Sequence, residues 1–242
     1  MKLYKFKDLT DESKHYHFLQ IVLNNTIWCA KPDSLNDDEE FNFKINYEPS
    51  LRTADLLSKV INKYKTTSYL DPCVSASMAI QNNSLEDIAT PIIDNLIQEC
   101  RNTIGITSFS LTNTDNYLWK EYGGKGNGVS IEINISDSLV GQSYHRVKYV
   151  KDKVFHVDSF FEAVLSNKAK AFEMILLTKT KDKWAHEEEI RFIGNRQEVN
   201  LIITGYVSEI TFGPNVSTGT LNNLMPVITD HCTANQIRVV KL

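Results

Sequence analysis

Trp184, Glu187, Glu189 and Arg191 stand in the pattern W-x-x-E-x-E-x-R, and no other segment has residue types so suggestive of chemistry. On a strand, successive side chains face opposite ways, so Glu187, Glu189 and Arg191 are predicted to share one face while Ile190 and Phe192 take the other. Alternate alpha carbons of a strand lie about 6.6 Å apart, which sets two carboxylates within reach of one small molecule. An arginine beside them can hold an anion. The competing reading is a solvated strand face whose opposite charges offset one another, an arrangement that contributes roughly 0–1 kcal/mol per exposed pair.

Such side chains need elements to position them. Residues 3–6 read as a strand and 12–23 as a helix, with His15, Phe18, Leu19 and Val22 at helical spacing and Asp11 as N-cap. Residues 26–30 suit a strand or turn that leads into the acidic loop 33–40. Helices are predicted over 54–64 and 85–101, joined by a polar connection around 68–83. Pro91, after Thr90, suits a first helical position better than the inside of an unbroken helix. From residue 104 onward, segments 104–109, 129–135, 144–150, 190–193 and 202–212 are rich in branched and aromatic residues and should form a sheet. A helix over 159–177 capped by Asp158, a shorter one over 220–229 and a last strand over 236–240 complete the reading. Helices gathered early and strands gathered late predict an α+β fold with a mixed, mostly antiparallel sheet and packed helices.

With 242 residues, 42% hydrophobic and 23% charged, the chain has the composition of a globular protein able to bury one sizeable core. One domain over 1–242 with a helical insert at about 50–102 is expected. The net charge of -4 and pI near 5.9 supply no overall basic field for nucleic acid. The start MKLYKFK lacks the apolar run of a signal peptide, and no later segment reaches membrane-spanning length, so a cytoplasmic protein without a membrane partner is expected. Cys29, Cys73, Cys100 and Cys232 are irregularly spaced without C-x-x-C, which argues for reduced thiols and against a zinc ribbon or a disulfide scaffold.

Several motifs together carry a family resemblance: Leu3-Tyr4-Lys5-Phe6, Leu35-Asn36-Asp37 with Glu40, Leu118-Trp119 with Tyr122 and Gly128, and the Trp184–Arg191 run. They resemble the bacterial family domain of unknown function 2971, with its LYK(Y/F), LNDPFE, LWxxY and WxxExExR motifs, over nearly the full chain. Asp38 and Glu39 stand where that family has Pro and Phe. More distantly, the order of motifs is similar to ADP-ribosyltransferase-like folds, which implies a split-sheet core. In those enzymes a His or Arg on the first strand, a Ser or Tyr on a middle strand and a late Glu surround NAD. The resemblance implies Tyr4 or Lys5 in the first place, Ser108 or Ser110 in the second, and Glu187 or Glu189 in the third. It also implies NAD as co-substrate, an unidentified protein or nucleic-acid acceptor, and a setting such as a toxin, phage defence or self-modification.

The chemistry suits the residues. Cleavage of the nicotinamide–ribose bond passes through an oxocarbenium-like state that a carboxylate stabilises, while a second carboxylate can take the acceptor's proton. Arg191, Lys5 or Ser108 would bind phosphate or ribose, and Trp119 and Tyr122, three apart on a helix, could stack on a base. Core packing competes for both rings. The glycine-rich 122–128 lacks the phosphate-loop order and reads as a connection before a strand. Asp37, Asp38, Glu39 and Glu40 have cation-ligand chemistry without calcium-loop spacing, so no metal is expected. Lys168, Lys170, Lys179, Lys181 and Lys183 would either guide a phosphate-bearing ligand or form a solvated face. The alternatives to the enzyme are a non-catalytic nucleotide- or peptide-binding module and a metal-dependent nuclease, although the E-x-K of many nucleases is absent.

Overall fold

The computed structural model describes residues 1–35, 40–64 and 70–242, with Lys183 as backbone only, and divides the chain into two compact units. The first comprises Met1–Lys31, Ile104–Val147 and Lys181–Leu242; the second comprises Pro32–Thr103 and Lys148–Thr180. The helical insert expected at about 50–102 falls in the second unit, which starts earlier and also takes in Lys148–Thr180. The class is α+β with a mostly antiparallel main sheet, as expected.

The first unit is built on a seven-stranded sheet in the order Arg238–Lys241, Tyr206–Phe212, Gly128–Asn134, Lys2–Asp8, Gly105–Ser110, Glu189–Gly194, Tyr144–Arg146. Neighbours are antiparallel except the first pair, whose parallel pairing is permitted by the crossover helix Thr218–Ala234. Alternation sorts the side chains into two faces. Leu3, Phe109, Val129, Ile131, Ile133, Ile190, Ile210 and Phe212 take one face, where Phe18, Ile21 and Val22 of helix Glu12–Asn24 and Leu224 and Ile228 of Thr218–Ala234 cover them. Each such fully buried chain contributes roughly 1.5–3 kcal/mol. The other face carries Tyr4, Ser110, Ser130, Glu132, Glu189, Arg191 and Thr211.

The sheet has one weak seam. Lys2–Asp8 pairs with Gly128–Asn134 along its whole length, and Gly105–Ser110 pairs fully with Glu189–Gly194. Between those two halves only Tyr4 and Ser110 are in register.

Helices Thr53–Tyr64, Pro72–Gln81, Leu85–Thr103, Val157–Ser166 and Lys168–Leu176 dominate the second unit, around a core that includes Leu57, Val60, Ile93, Phe160, Phe161 and Ile175. Two short parallel pairs, Lys44–Asn46 with Val154–His156 and Lys148–Val150 with Thr178–Thr180, complete it.

Several local expectations need correction. Pro91 lies inside an unbroken helix, Leu85–Thr103, because Leu85, Ala89, Ile92, Ile93 and Leu96 bury one continuous apolar stripe whose packing outweighs the lost amide. The expected polar connection contains a helix, Pro72–Gln81, capped by Asp71 with Pro72 in its first turn. The helix predicted over 159–177 breaks at Asn167, whose extended backbone (φ -161°, ψ 118°) ends Val157–Ser166 while its side chain caps Lys168–Leu176. His156, rather than Asp158, caps the first of these, and the Asp158 carboxylate accepts from Ser50 and Thr53 hydroxyls instead. The strand predicted over 144–150 is two strands, one in each unit.

Candidate functional site

The Glu187–Arg191 segment departs from the expected strand at its first residue. Glu187 ends a 3-10 turn, Ala185–Glu187, and Glu188 follows in the left-handed region (φ 44°, ψ 49°), so the strand begins only at Glu189. A non-glycine residue with positive φ is uncommon and needs outside support. That support is long-range: the Ser110 hydroxyl donates to the Glu187 carbonyl at 2.8 Å, and the Leu111 amide donates to the Glu188 carbonyl at 3.2 Å. Glu187 and Glu189 are therefore not an i, i+2 pair on one strand face, and the spacing of about 6.6 Å inferred for them does not apply.

Glu187 and Glu189 are nonetheless both enclosed, at 4% and 5% exposure, and Arg191 is 1% exposed. Arg191 donates from Nε to Oε1 of Glu189 at 2.8 Å and from Nη2 to Oε2 at 3.4 Å. Held in this two-point fashion, the Glu189 carboxylate is fixed in direction as well as in charge balance. The Tyr122 hydroxyl donates to Oε1 of Glu187 at 2.8 Å, and burial, with Glu187 next in effect, pushes the Tyr122 phenol up. In the variant Tyr122→Phe the buried carboxylate loses this donor, with an expected cost of about 1–3 kcal/mol, read as a lower urea midpoint. An unchanged midpoint would show that the hydroxyl contributes nothing.

Register brings Tyr4, Ser110 and Glu189 abreast, because Tyr4 opposes Ser110 and Ser110 opposes Glu189. Ser108 opposes Arg191 on the same face. Of the two first-strand candidates, Tyr4 shares this face, whereas Lys5 leaves the strand on the opposite one. The Tyr4 hydroxyl is engaged by Glu132 at 3.0 Å, and burial and then Glu132 raise its pKa. Glu132 also accepts from Lys2 at 3.1 Å and Ser208 at 2.7 Å. No motif pointed to this glutamate, although a lone acid between Ile131 and Ile133 was a visible signal.

Trp119 and Tyr122 do not act as one face. Trp119 lies in helix Asn116–Glu121, packs edge-on against Phe6 with ring centroids 5.2 Å apart and donates from its indole to the Asn113 carbonyl. Tyr122 caps that helix and turns to Glu187. The loop after it carries positive φ at Gly124, Lys125 and Gly126, and a methyl added at Gly128 would lie 2.2 Å from the Lys7 carbonyl oxygen. Trp119, Lys125, Thr211, Arg238 and Leu242 line a separate groove of about 810 Å³. Another, of about 770 Å³, is lined by Thr112, Asp115, Tyr117, His186 and Glu188 beside the 3-10 turn.

Among the described residues no group of three or more His, Cys, Asp or Glu is placed to hold a metal ion. Asp37, Asp38 and Glu39 lie outside those residues; Glu40 is buried and its carbonyl accepts from Lys153 at 2.9 Å. All four cysteines are free thiols. Among the described residues no helix is long and apolar enough to cross a membrane. Comparison of the chain with protein-family models, with curated proteins and with solved structures returns no match.

Proposed function

We propose that this chain is an ADP-ribosyltransferase-like enzyme that cleaves the nicotinamide–ribose bond of NAD and passes ADP-ribose to a macromolecular acceptor. The reading rests on one observation: Tyr4, Ser110 and Glu189 stand abreast on three neighbouring strands, at the single register pair that joins the two halves of the sheet. Kinship with the domain of unknown function 2971 family belongs to the same proposal. It is supported by the burial of its motif residues Leu118, Trp184, Glu187, Glu189 and Arg191.

In this reading the bond between nicotinamide and the ribose carbon breaks with its electron pair leaving on nicotinamide, Glu189 offsets the positive charge left on the sugar, and a nucleophilic atom of the acceptor then bonds that carbon and gives up its proton to water. Arg191 and Ser110 then act as positioning residues, the first through the Glu189 carboxylate and the second through the Glu187 carbonyl. The Ser108 hydroxyl, which has no hydrogen-bond partner among the described residues, is the polar group on this face best able to accept or donate to a ribose hydroxyl. The test is nicotinamide release from NAD with cell lysate as acceptor source, comparing wild type with Glu189→Gln. The amide keeps the shape and one acceptor for Arg191 but not the charge, so the melting temperature is expected to fall, and turnover is compared at a temperature where circular dichroism shows both proteins folded. A drop of about 100-fold or more is expected; equal turnover would remove Glu189 from catalysis.

A second reading, a nucleotide- or peptide-binding module without turnover, is favoured by the fact that both carboxylates already have protein partners, Tyr122 for Glu187 and Arg191 for Glu189. Saturable NAD binding by calorimetry with no nicotinamide released is its signature.

A further inference from the structure

Lys5 and Lys7 leave strand Lys2–Asp8 on the apolar face, where they oppose Ile131 and Val129 and which helix Glu12–Asn24 covers. The Lys5 ammonium donates to the Ser108 carbonyl at 2.7 Å, in the seam where the two strands are no longer paired, and lies 5.7 Å from the Phe109 ring centre. The Lys7 ammonium has no hydrogen-bond or ion-pair partner among the described residues. Nearby, Nδ1 of His17 is enclosed and has no hydrogen-bond partner, while its ring sits 5.6 Å from that of Trp28. Asp8 offers no compensation, because it points to the other face and engages Lys14 and the Thr10 amide. Two half-buried cations two residues apart on one strand face, with an enclosed orphan imidazole nitrogen beside them, repel one another unless something supplies the missing charge and acceptors.

We infer that Lys5, Lys7 and His17 form a binding site for a phosphate-type dianion. Charge decides the class: two lysines balance a dianion, whereas a carboxylate would leave one of them uncompensated. The donors left over, from Lys7, from Lys5 beyond its bond to Ser108 and from the His17 ring, match several phosphate oxygens at once. This site goes beyond the NAD reading, because its strand residues lie on the face opposite Glu189 and it holds its anion whether or not NAD is turned over.

The titration of the cluster follows from burial and mutual repulsion. Burial first, then Lys7, lowers Lys5 to about 7, against upward pulls from Glu189 and Cys29. Burial lowers Lys7 to about 8, and burial, then Lys7 and Lys5, lowers His17. A bound dianion reverses these shifts, so binding takes up protons at pH above about 8.

The experiment is calorimetric titration of the full chain with inorganic phosphate, and separately with ADP-ribose, at pH about 8.5 in two buffers of different ionisation heat. Saturable binding with proton uptake is expected in the wild type, weakened about tenfold in Lys7→Met, and retained in Glu189→Gln. Binding of phosphate alone assigns the site to free phosphate; binding of ADP-ribose alone assigns it to a nucleotide phosphate. His17→Phe, which keeps the ring packing against Trp28, is expected to weaken binding less than Lys7→Met and guards against a folding defect in the latter. No saturable binding of either anion, or equal affinity in wild type and Lys7→Met, overturns the inference.

Discussion

Replacing Arg191 by leucine is expected to destabilise the protein by about 3–5 kcal/mol. Arg191 is the largest fully buried side chain among the described residues, and its guanidinium binds both oxygens of Glu189, itself nearly enclosed. An aliphatic side chain there restores some apolar contact but leaves the Glu189 carboxylate without its two-point donor. Removing one member of a buried pair costs far more than the pair contributes as a whole. The double variant Glu189→Gln with Arg191→Leu should therefore recover part of the loss, and the non-additivity measures the coupling. Urea denaturation of the four proteins checks this; an Arg191→Leu midpoint close to wild type would show that the guanidinium is not what holds Glu189.

The second large effect depends on pH. Lys5 is only partly enclosed as a residue, yet its ammonium lies deep enough for burial to pull it from 10.5 to about 7. Between those values the unfolded chain holds a proton that the folded chain has released, so wild-type stability rises with pH across that window. Below about 7 both states are protonated and the penalty of a buried charge is fully present. Lys5→Met removes that penalty while losing one hydrogen bond to Ser108. With the shift discounted for residual solvent contact, the variant should be about 1–2 kcal/mol more stable than wild type at pH near 6, and the gain should vanish as the pH approaches 10. Lys7, lowered to about 8, keeps its own contribution of the same sign in both proteins. Denaturant midpoints measured from pH 6 to 9 decide the matter: parallel profiles for the two proteins would mean that Lys5 is solvated and ordinary.

Helix Glu12–Asn24 was legible because its cap and its stripe are local: Asp11 accepts from the Ser13 amide, and Phe18 and Val22 fall on one side. Strand Gly128–Asn134 was legible because Val129, Ile131 and Ile133 alternate with polar residues. Pro91 misled because a proline's local cost is visible in sequence whereas the buried stripe that outweighs it is a tertiary fact. Asn167 was equally opaque, since an apolar helical pattern runs straight through the residue that breaks it. At the site, the residue types around Glu189 were readable, but the partners were not: Tyr122 for Glu187, Arg191 rather than solvent for Glu189, and Glu132 for Tyr4.

Periodicity, caps and composition by themselves determined the α+β class, most element positions and the segment richest in ionisable groups, because each of these is a property of neighbours within a turn or two. Pairing between distant strands decided the rest. It turned Glu187 out of the strand through the Ser110 hydroxyl, set Tyr4, Ser110 and Glu189 abreast, and left Lys5 and Lys7 half-buried with no ion-pair partner among the described residues. The reason is that burial of a charge, and the identity of what compensates it, depend on which residues meet across more than a hundred positions of chain, as Lys5 and Ser108 do.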